Sequence, residues 1–329
     1  MKPLSLSSMR GVVALAGIAL FAATAGAAEP AYPDKPITFV SAFAPGATND
    51  TLTRLVARGV ATALHTSEVV ENRAGANGIV GTQYVARAKP DGYTLLTANS
   101  ASHGINPSLY PDIPYNALKD FQGISMMASV PLAIAASASL PVSNLKELVA
   151  YGAAHPGKLG FATSGIGGTG HLTGEAFKFA SHLDMVHVPY KGDALAVTDT
   201  MAGQVPLCIV ALSAVTPMLA SGKIKLLAVA SAKRLPLLPE VPTIDESGFP
   251  GMEFSQWFAI VAPSGTPAPV VDKLNLAIKG IIESDAAKTS IAALGAVPVY
   301  TTPAQTQAFI EAEIERFGAI IAKLHLQLR

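Results

Sequence analysis

One cysteine, Cys208, stands in 329 residues, so no intramolecular disulfide can form. It lies in the apolar run Leu207-Cys208-Ile209-Val210-Ala211-Leu212, where a buried, inert thiol is expected. Aromatic residues make up 6% of the chain and charged residues 14%. That leaves few platforms for stacking bases or sugar rings, and no basic field for a phosphate backbone, so nucleic acid is not an expected partner. No G-x-S-x-G elbow, H-E-x-x-H helix, Walker loop or paired-cysteine cluster is present. His65, His103, His155, His171, His182, His187 and His325 are scattered without metal-ligand spacing. No catalytic set, metal or cofactor is expected.

What is present begins with an export signal. Lys2 and Arg10 precede an apolar stretch over about 11–23, and Ala25-Gly26-Ala27 or Gly26-Ala27-Ala28 supplies small residues, the order of a secretory signal peptide cleaved near Ala27 or Ala28. That stretch is short for a membrane span, and no later apolar segment is long enough. Without Lys2 and Arg10, 21 basic side chains face 23 acidic ones, a net charge of −2. The remaining chain suffices for two domains of ordinary size.

The β-branched and aromatic run over 37–43 predicts a buried strand, which Pro45-Gly46 ends before a helix from about 49 or 50 to 64. A strand at 68–72, a helix at 78–88 and a strand at 94–98 follow. The rhythm returns with strands at 159–163, 185–189 and 205–212, separated by helices at 171–181 and 194–201. Such alternation predicts an α/β fold with a largely parallel sheet. Apolar stretches at 124–136 and 254–261 are the candidate strands crossing between two domains. Pro236, Pro239, Pro242 and Gly248-Phe249-Pro250-Gly251 make a stiff connection near the return crossing. Helices are expected at about 269–283 and 303–325, the second with a core stripe of Phe309, Ile310, Ile314, Phe317, Ile320, Ile321 and Leu324. The expected division is a signal peptide at 1–28, a discontinuous domain I at 29–130 and 254–329, and domain II at 131–253.

Two turns carry the chemistry. Phe161-Ala162-Thr163-Ser164-Gly165-Ile166-Gly167-Gly168-Thr169-Gly170-His171 joins a strand to a helix, and its glycines let main-chain N–H groups converge on an anion at the helix end. Phe43-Ala44-Pro45-Gly46-Ala47-Thr48-Asn49-Asp50 has the same layout. At the carboxyl ends of parallel strands both turns face the place where open α/β sheets bind ligands. If the domains face each other, two anion-binding helix ends meet across one cleft, which suits a solute with a carboxylate at each end or a carboxylate and another polar group. An exposed helix end supplies about 0.3–1 kcal/mol and a charge-assisted hydrogen bond about 1.5–3. Micromolar binding needs about 8 kcal/mol. Several donors must therefore act together, and Thr48, Asn49, Ser164 and Thr169 stand where they add to the N–H groups.

Alternatives remain open at several positions. Asp50 and Thr169 serve equally as helix caps. His171 either donates to a carboxylate or packs, while His187 is expected to be structural. Tyr190 or Lys191 reaches the cleft, or Tyr190-Lys191-Gly192-Asp193 is a surface turn with Lys191 against Asp193. Asn99, Ser100 and His103 line the first domain's side or are merely loop polarity. Gly165-Ile166-Gly167-Gly168-Thr169-Gly170 also satisfies G-x-G-x-x-G, a dinucleotide signature whose distal acid is only loosely supplied by Asp184 or Asp193.

Ordered motifs along the whole mature chain resemble the tripartite tricarboxylate transporter solute receptors, the TctC-like or Bug-type extracytoplasmic binding proteins. They are Tyr32-Pro33-Asp34-Lys35-Pro36-Ile37, Phe43-Ala44-Pro45-Gly46, Val70-Glu71-Asn72-Arg73, Lys89-Pro90-Asp91-Gly92-Tyr93-Thr94-Leu95-Leu96, Ile105-Asn106-Pro107-Ser108-Leu109-Tyr110, Val186-His187-Val188-Pro189-Tyr190-Lys191-Gly192, Ala228-Val229-Ala230-Ser231-Ala232-Lys233-Arg234, Val241-Pro242-Thr243 and Ala262-Pro263-Ser264-Gly265-Thr266-Pro267. The resemblance implies a two-domain α/β periplasmic binding protein of the Venus-flytrap, type II-like class, with a cleft between the domains. It implies a monomer without catalysis that delivers a dicarboxylate, tricarboxylate or aromatic carboxylate to an integral-membrane permease.

The resemblance places ligand contacts at Phe43, Ala44, Gly46, Ala47, Thr48 and Asn49, and at Thr163, Ser164, Gly167, Gly168, Thr169 and His171. The residues read above as bordering the cleft, Asn99, Ser100, Tyr190 and Lys191, complete the set. The chain departs from the family pattern with Ala47 for a second glycine, Val210 for an acidic residue and Pro206 for an Asp. The Val210 departure counts against an amino-acid ligand. Two rival readings are an exported sensor of the same ligands that docks on a signalling protein, and an exported α/β enzyme with a phosphate-containing cofactor.

Overall fold

The computed structural model describes residues 32–327. The expected signal peptide at 1–28 lies outside the described residues. In chain order the elements are β1 (Ile37–Ser41), α1 (Thr48–Leu64), β2 (Glu68–Asn72), α2 (Ile79–Ala86), β3 (Thr94–Asn99), α3 (Asn106–Leu109) and β4 (Phe121–Ser137). There follow α4 (Leu145–Ala154), β5 (Leu159–Thr163), α5 (Thr169–Ser181), β6 (Met185–Pro189), α6 (Asp193–Met201), β7 (Leu207–Ala211), α7 (Leu212–Val215) and β8 (Ile224–Val229). The chain ends with β9 (Ser255–Pro263), α8 (Ala268–Ile282), α9 (Asp285–Ala293), β10 (Val297–Pro298) and α10 (Pro303–Lys323).

The strands run in the order β2-β1-β3-β9-β4-β7-β5-β6. Two parallel wings flank an antiparallel centre: β2-β1-β3 on one side and β7-β5-β6 on the other. The centre is β9 with the 17-residue β4, which pairs with β9 over Phe121–Pro131 and with β7 over Leu132–Ala136. β8 adds to the second half of β4, and β10 pairs at Ala128 and Ser129. The apolar run expected to cross at 124–136 is thus one continuous strand, longer at its amino end than the hydropathy alone marks.

Local signals explain the helices that build the site. In α1, Leu52, Val56 and Val60 recur at four-residue spacing and are fully buried, fixing one face against the sheet. α10 opens with a capping box, Thr302 with Gln305, and Pro303 in its first turn. Its Ile310, Phe317 and Ile321 are buried, and the other members of the expected stripe are half-buried. The glutamate on the same face, Glu313, accepts from buried Trp257 Nε1 at 2.9 Å. α4 and β8 were not foreseen; α4 is marked by Asn144, whose side chain accepts from the Glu147 N–H at 2.9 Å. α1 and α5 start at Thr48 and Thr169, earlier than the periodicity suggested, because each begins at the end of its turn.

Candidate functional site

The first turn is closed by its own acid. The Gly46 N–H donates to Asp50 Oδ2 at 2.9 Å, and Arg54 Nε and Asn72 Nδ2 donate to the same carboxylate at 3.1 and 2.7 Å. Burial alone would raise the Asp50 pKa, but the bonds from Arg54, Gly46 and Asn72 outweigh it and hold the carboxyl below its usual range. The first intrahelical bond of α1 runs from Thr51 N–H to Ala47 C=O at 2.9 Å, which leaves the N–H groups of Thr48, Asn49 and Asp50 without intrahelical acceptors. The Asn49 side chain is committed elsewhere: it accepts from Ser41 Oγ at 2.8 Å and donates to the Thr97 carbonyl at 3.1 Å. Only its main chain is left to face a solute.

The second turn is wired by two neutral histidines. Thr163 Oγ1 donates to the Gly165 carbonyl at 3.1 Å, so it accepts from His187 Nε2–H at 2.7 Å. His187 stacks on His171, ring centroids 4.1 Å apart, and His171 Nδ1 accepts the Gly167 N–H at 3.2 Å. Burial, helped by Lys178, lowers the His171 pKa to about 4; burial, His171 and Lys178 do the same for His187. Gly170 is required by packing, since a Cβ there would run into the Ile209 carbonyl of β7. The first bond of α5 goes from Leu172 N–H to Gly168 C=O at 3.1 Å, leaving the N–H groups of Thr169, Gly170 and His171 without intrahelical acceptors.

These turns border one cavity of about 680 Å³. Of the residues expected at the site, it is lined by Phe43, Ala44, Gly46, Ala47, Thr48, Asn49, Asn99, Ser100, Ser164, Gly168, Thr169 and Lys191. Thr163, Gly167, His171 and Tyr190 do not line it: the first three hold the turn in shape, and the Tyr190 hydroxyl donates to Asp199 Oδ2 at 2.7 Å. His103 belongs to a π-helical turn, Ser100–Ile105, and its side chain lies in the core, edge-on to Phe121 with ring centroids 4.7 Å apart. Burial lowers its pKa to about 3. Val210 is buried with Cys208 and Val215 and, like Pro206, does not line the cavity, so neither departure bears on its charge. Asp184 precedes β6 beside the start of β5, the far end from the glycine turn, and cannot serve as a dinucleotide acid there.

Several lining residues escaped the sequence reading. Asn77 donates to the Gly167 carbonyl at 3.1 Å, and the Ser100 and Thr169 hydroxyls lie 2.9 Å apart, so groups from the two wings meet directly. Gln256 and Phe258 come from β9, and Ser213 from the segment just after β7. Asp193 is the least expected: it opens α6, and its Oδ1 is shielded from solvent with no hydrogen-bond partner among the described residues. Burial raises its pKa, while Ser164 and the Ala211 amide pull the other way. Among the described residues, Lys191 and Asp193 are the only charged side chains in the lining. Among the described residues no group of three or more His, Cys, Asp or Glu is placed to hold a metal, and no helix is long and apolar enough to cross a membrane.

The model of the tripartite tricarboxylate transporter family receptor matches residues 52–326. Protein BugT of Bordetella pertussis is 38% identical over 320 residues, 96% of this chain and 98% of its own length. Rpa4515 of R. palustris, solved with adipate, is similar with a TM-score of 0.82 and 36% identity, over 90% of this chain and all of that one. MatC from Rhodopseudomonas palustris, solved with bound malate, gives a TM-score of 0.77 and 30% identity over 88% of this chain and all of that one.

Proposed function

Because the chain belongs to the tripartite tricarboxylate transporter receptor family, we propose that it is an exported receptor that holds a small organic carboxylate between its two turns and delivers it to a membrane permease. Its α/β architecture is that of the two-domain periplasmic binding proteins. The observation that carries the reading is the convergence of two helix amino ends, those of α1 and α5, on a single cavity whose one cationic side chain is Lys191. Free N–H groups and hydroxyls from both sides complement a solute with charge at each end, as in the adipate and malate held by its relatives.

In this reading domain I comprises 29–130 and 254–329 and domain II 131–253, and the receptor is a monomer that releases its ligand unchanged. Ligand contacts are assigned to the twelve expected residues that line the cavity, while Thr163, Gly167 and His171 hold the second turn in shape. Calorimetry against dicarboxylates, tricarboxylates and aromatic carboxylates tests it. A saturating ligand present at a hundredfold excess over its Kd should stabilise the fold by about 2.7 kcal/mol and be recovered intact. Failure of every such acid to bind, or its chemical conversion, overturns the assignment. Cell fractionation with N-terminal sequencing should recover protein processed near Ala27 or Ala28 in the periplasm.

A further inference from the structure

The lining of the cavity is almost uniformly built to donate. Main-chain N–H groups at the starts of α1 and α5, the Ser100 and Thr169 hydroxyls and the Lys191 ammonium all suit a carboxylate. Asp193 alone is out of keeping. An ionised carboxylate can only accept; Ser164 and the Ala211 amide bond to the Asp193 carboxyl, yet among the described residues its Oδ1 accepts from nothing. A buried polar atom without a partner is a cost that native proteins rarely carry without a use for it. Among the described residues Asp193 also has no ion-pair partner: the Lys191 ammonium two residues away forms no salt bridge with it. Asp193 stands in the first turn of α6, where a negative charge favours the helix end, but it makes no side-chain capping bond there.

The geometry points to Asp193 as the residue that reads a hydrogen-bond donor on the ligand's carbon chain, and so to a preference for hydroxy- or amino-dicarboxylates over the unsubstituted parents. The inference rests on the carboxylate-receptor reading. Carboxylate oxygens of the ligand meet the helix ends and Lys191, while a hydroxyl or ammonium beside them satisfies Asp193 Oδ1. An unsubstituted methylene at the same place leaves Oδ1 unpartnered and sets the acid near a second negative charge. A hydrogen bond involving a charged group contributes about 1.5–3 kcal/mol, which is about tenfold or more in affinity.

Matched sets test this in the wild-type protein by calorimetry: succinate, malate and aspartate, and glutarate, 2-hydroxyglutarate and glutamate. In at least one set the hydroxy or amino acid should bind about tenfold or more tightly than its parent. The Asp193→Asn protein should bind the parent diacid more tightly than the wild type does, and the tenfold gap should collapse. The asparagine keeps an acceptor oxygen but no charge, so a hydroxyl ligand should retain more of its advantage than an ammonium ligand. Circular dichroism checks that the variant is folded, and Asp193→Ser serves as a second variant; the wild-type panel depends on neither. Parents that bind as tightly as their substituted forms, or a gap that survives in Asp193→Asn, overturn the role of Asp193 while leaving the carboxylate reading standing. Absence of binding by every acid in both sets overturns the two together.

Discussion

The hydroxyls of Ser100 and Thr169 lie 2.9 Å apart, one following β3 and the other opening α5, so the two wings touch at the site itself. Asn77 adds a bond to the Gly167 carbonyl at 3.1 Å on the same seam.

Removing the seam should loosen ligand binding from both sides at once. Ser100→Ala and Thr169→Val each delete one hydrogen bond, worth about 0.5–1.5 kcal/mol, or roughly two- to thirteenfold in Kd. Because they delete the same bond, calorimetry on the double variant should show a loss well short of the sum. Additive losses would mean that the two hydroxyls act separately on the ligand.

Substitutions in the glycine turn should divide cleanly into those that harm binding and those that harm the fold. Gly168 has an ordinary φ of −82°, and a Cβ there would meet only the Gly165 carbonyl, at 3.9 Å. Gly168→Glu should therefore keep a native circular dichroism spectrum and abolish ligand binding by placing bulk and negative charge in the cavity. Gly170→Ala should do the opposite and lower Tm, because its methyl meets the Ile209 carbonyl. Gly46→Glu should weaken binding from the other wing, with an added penalty from its φ of +81°.

Asp50→Ala should lower both stability and affinity. The change strands the Gly46 N–H, Arg54 and Asn72, at about 1–3 kcal/mol for a group left unsatisfied, and releases the turn that aims the α1 N–H groups. Chemical denaturation gives the first loss and calorimetry the second. An unchanged Kd in a folded Asp50→Ala protein would show that the turn holds its shape without the acid.

Stability should fall as the pH is lowered from about 6.5 towards 4. His103, His171 and His187 have folded pKa values of about 3, about 4 and about 4, against 6.5 unfolded. In that window the unfolded chain binds more protons, so acid favours unfolding, and the histidine contribution is complete above pH 6.5. Asp193 acts with the opposite sign, losing stability as pH rises above its unfolded value of 3.8, so the histidine slope is read most clearly in an Asp193→Asn background. Melting curves from pH 7.5 to 4.5 measure the slope, and His187→Gln should flatten it.

The two turns were legible because their signal is local. A β-branched strand, a Pro-Gly or glycine-rich break and an amphipathic helix follow one another within twenty-odd residues, and no distant contact is needed to recognise them. Asn77, Gln256 and Phe258 were not legible as lining residues because crossings of the sheet bring them there. Asp193 read as a turn acid beside Lys191; its burial comes from α6 docking on β7, which no spacing encodes. His171 read as either a ligand donor or a packing group and His187 as structural, but their stacking on each other follows from α5 lying over β6 and is marked by no spacing. The amino end of β4 was missed for a related reason: Phe121, Gln122 and Gly123 alternate too weakly to mark a strand, and β9 supplies the pairing that makes them one.

β4 changes partner from β9 to β7 between Pro131 and Leu132 without a break in the strand, and the Leu132 N–H reaches the Phe254 carbonyl at 3.2 Å just before β9 begins. The sheets that carry the cavity's two sides therefore share a single ribbon, clasped at its midpoint. Pulling them straight apart would tear a row of main-chain bonds, whereas a twist of a few backbone angles at the clasp spares them all. Any change in the angle between the wings on ligand binding is therefore expected to be taken up at this clasp.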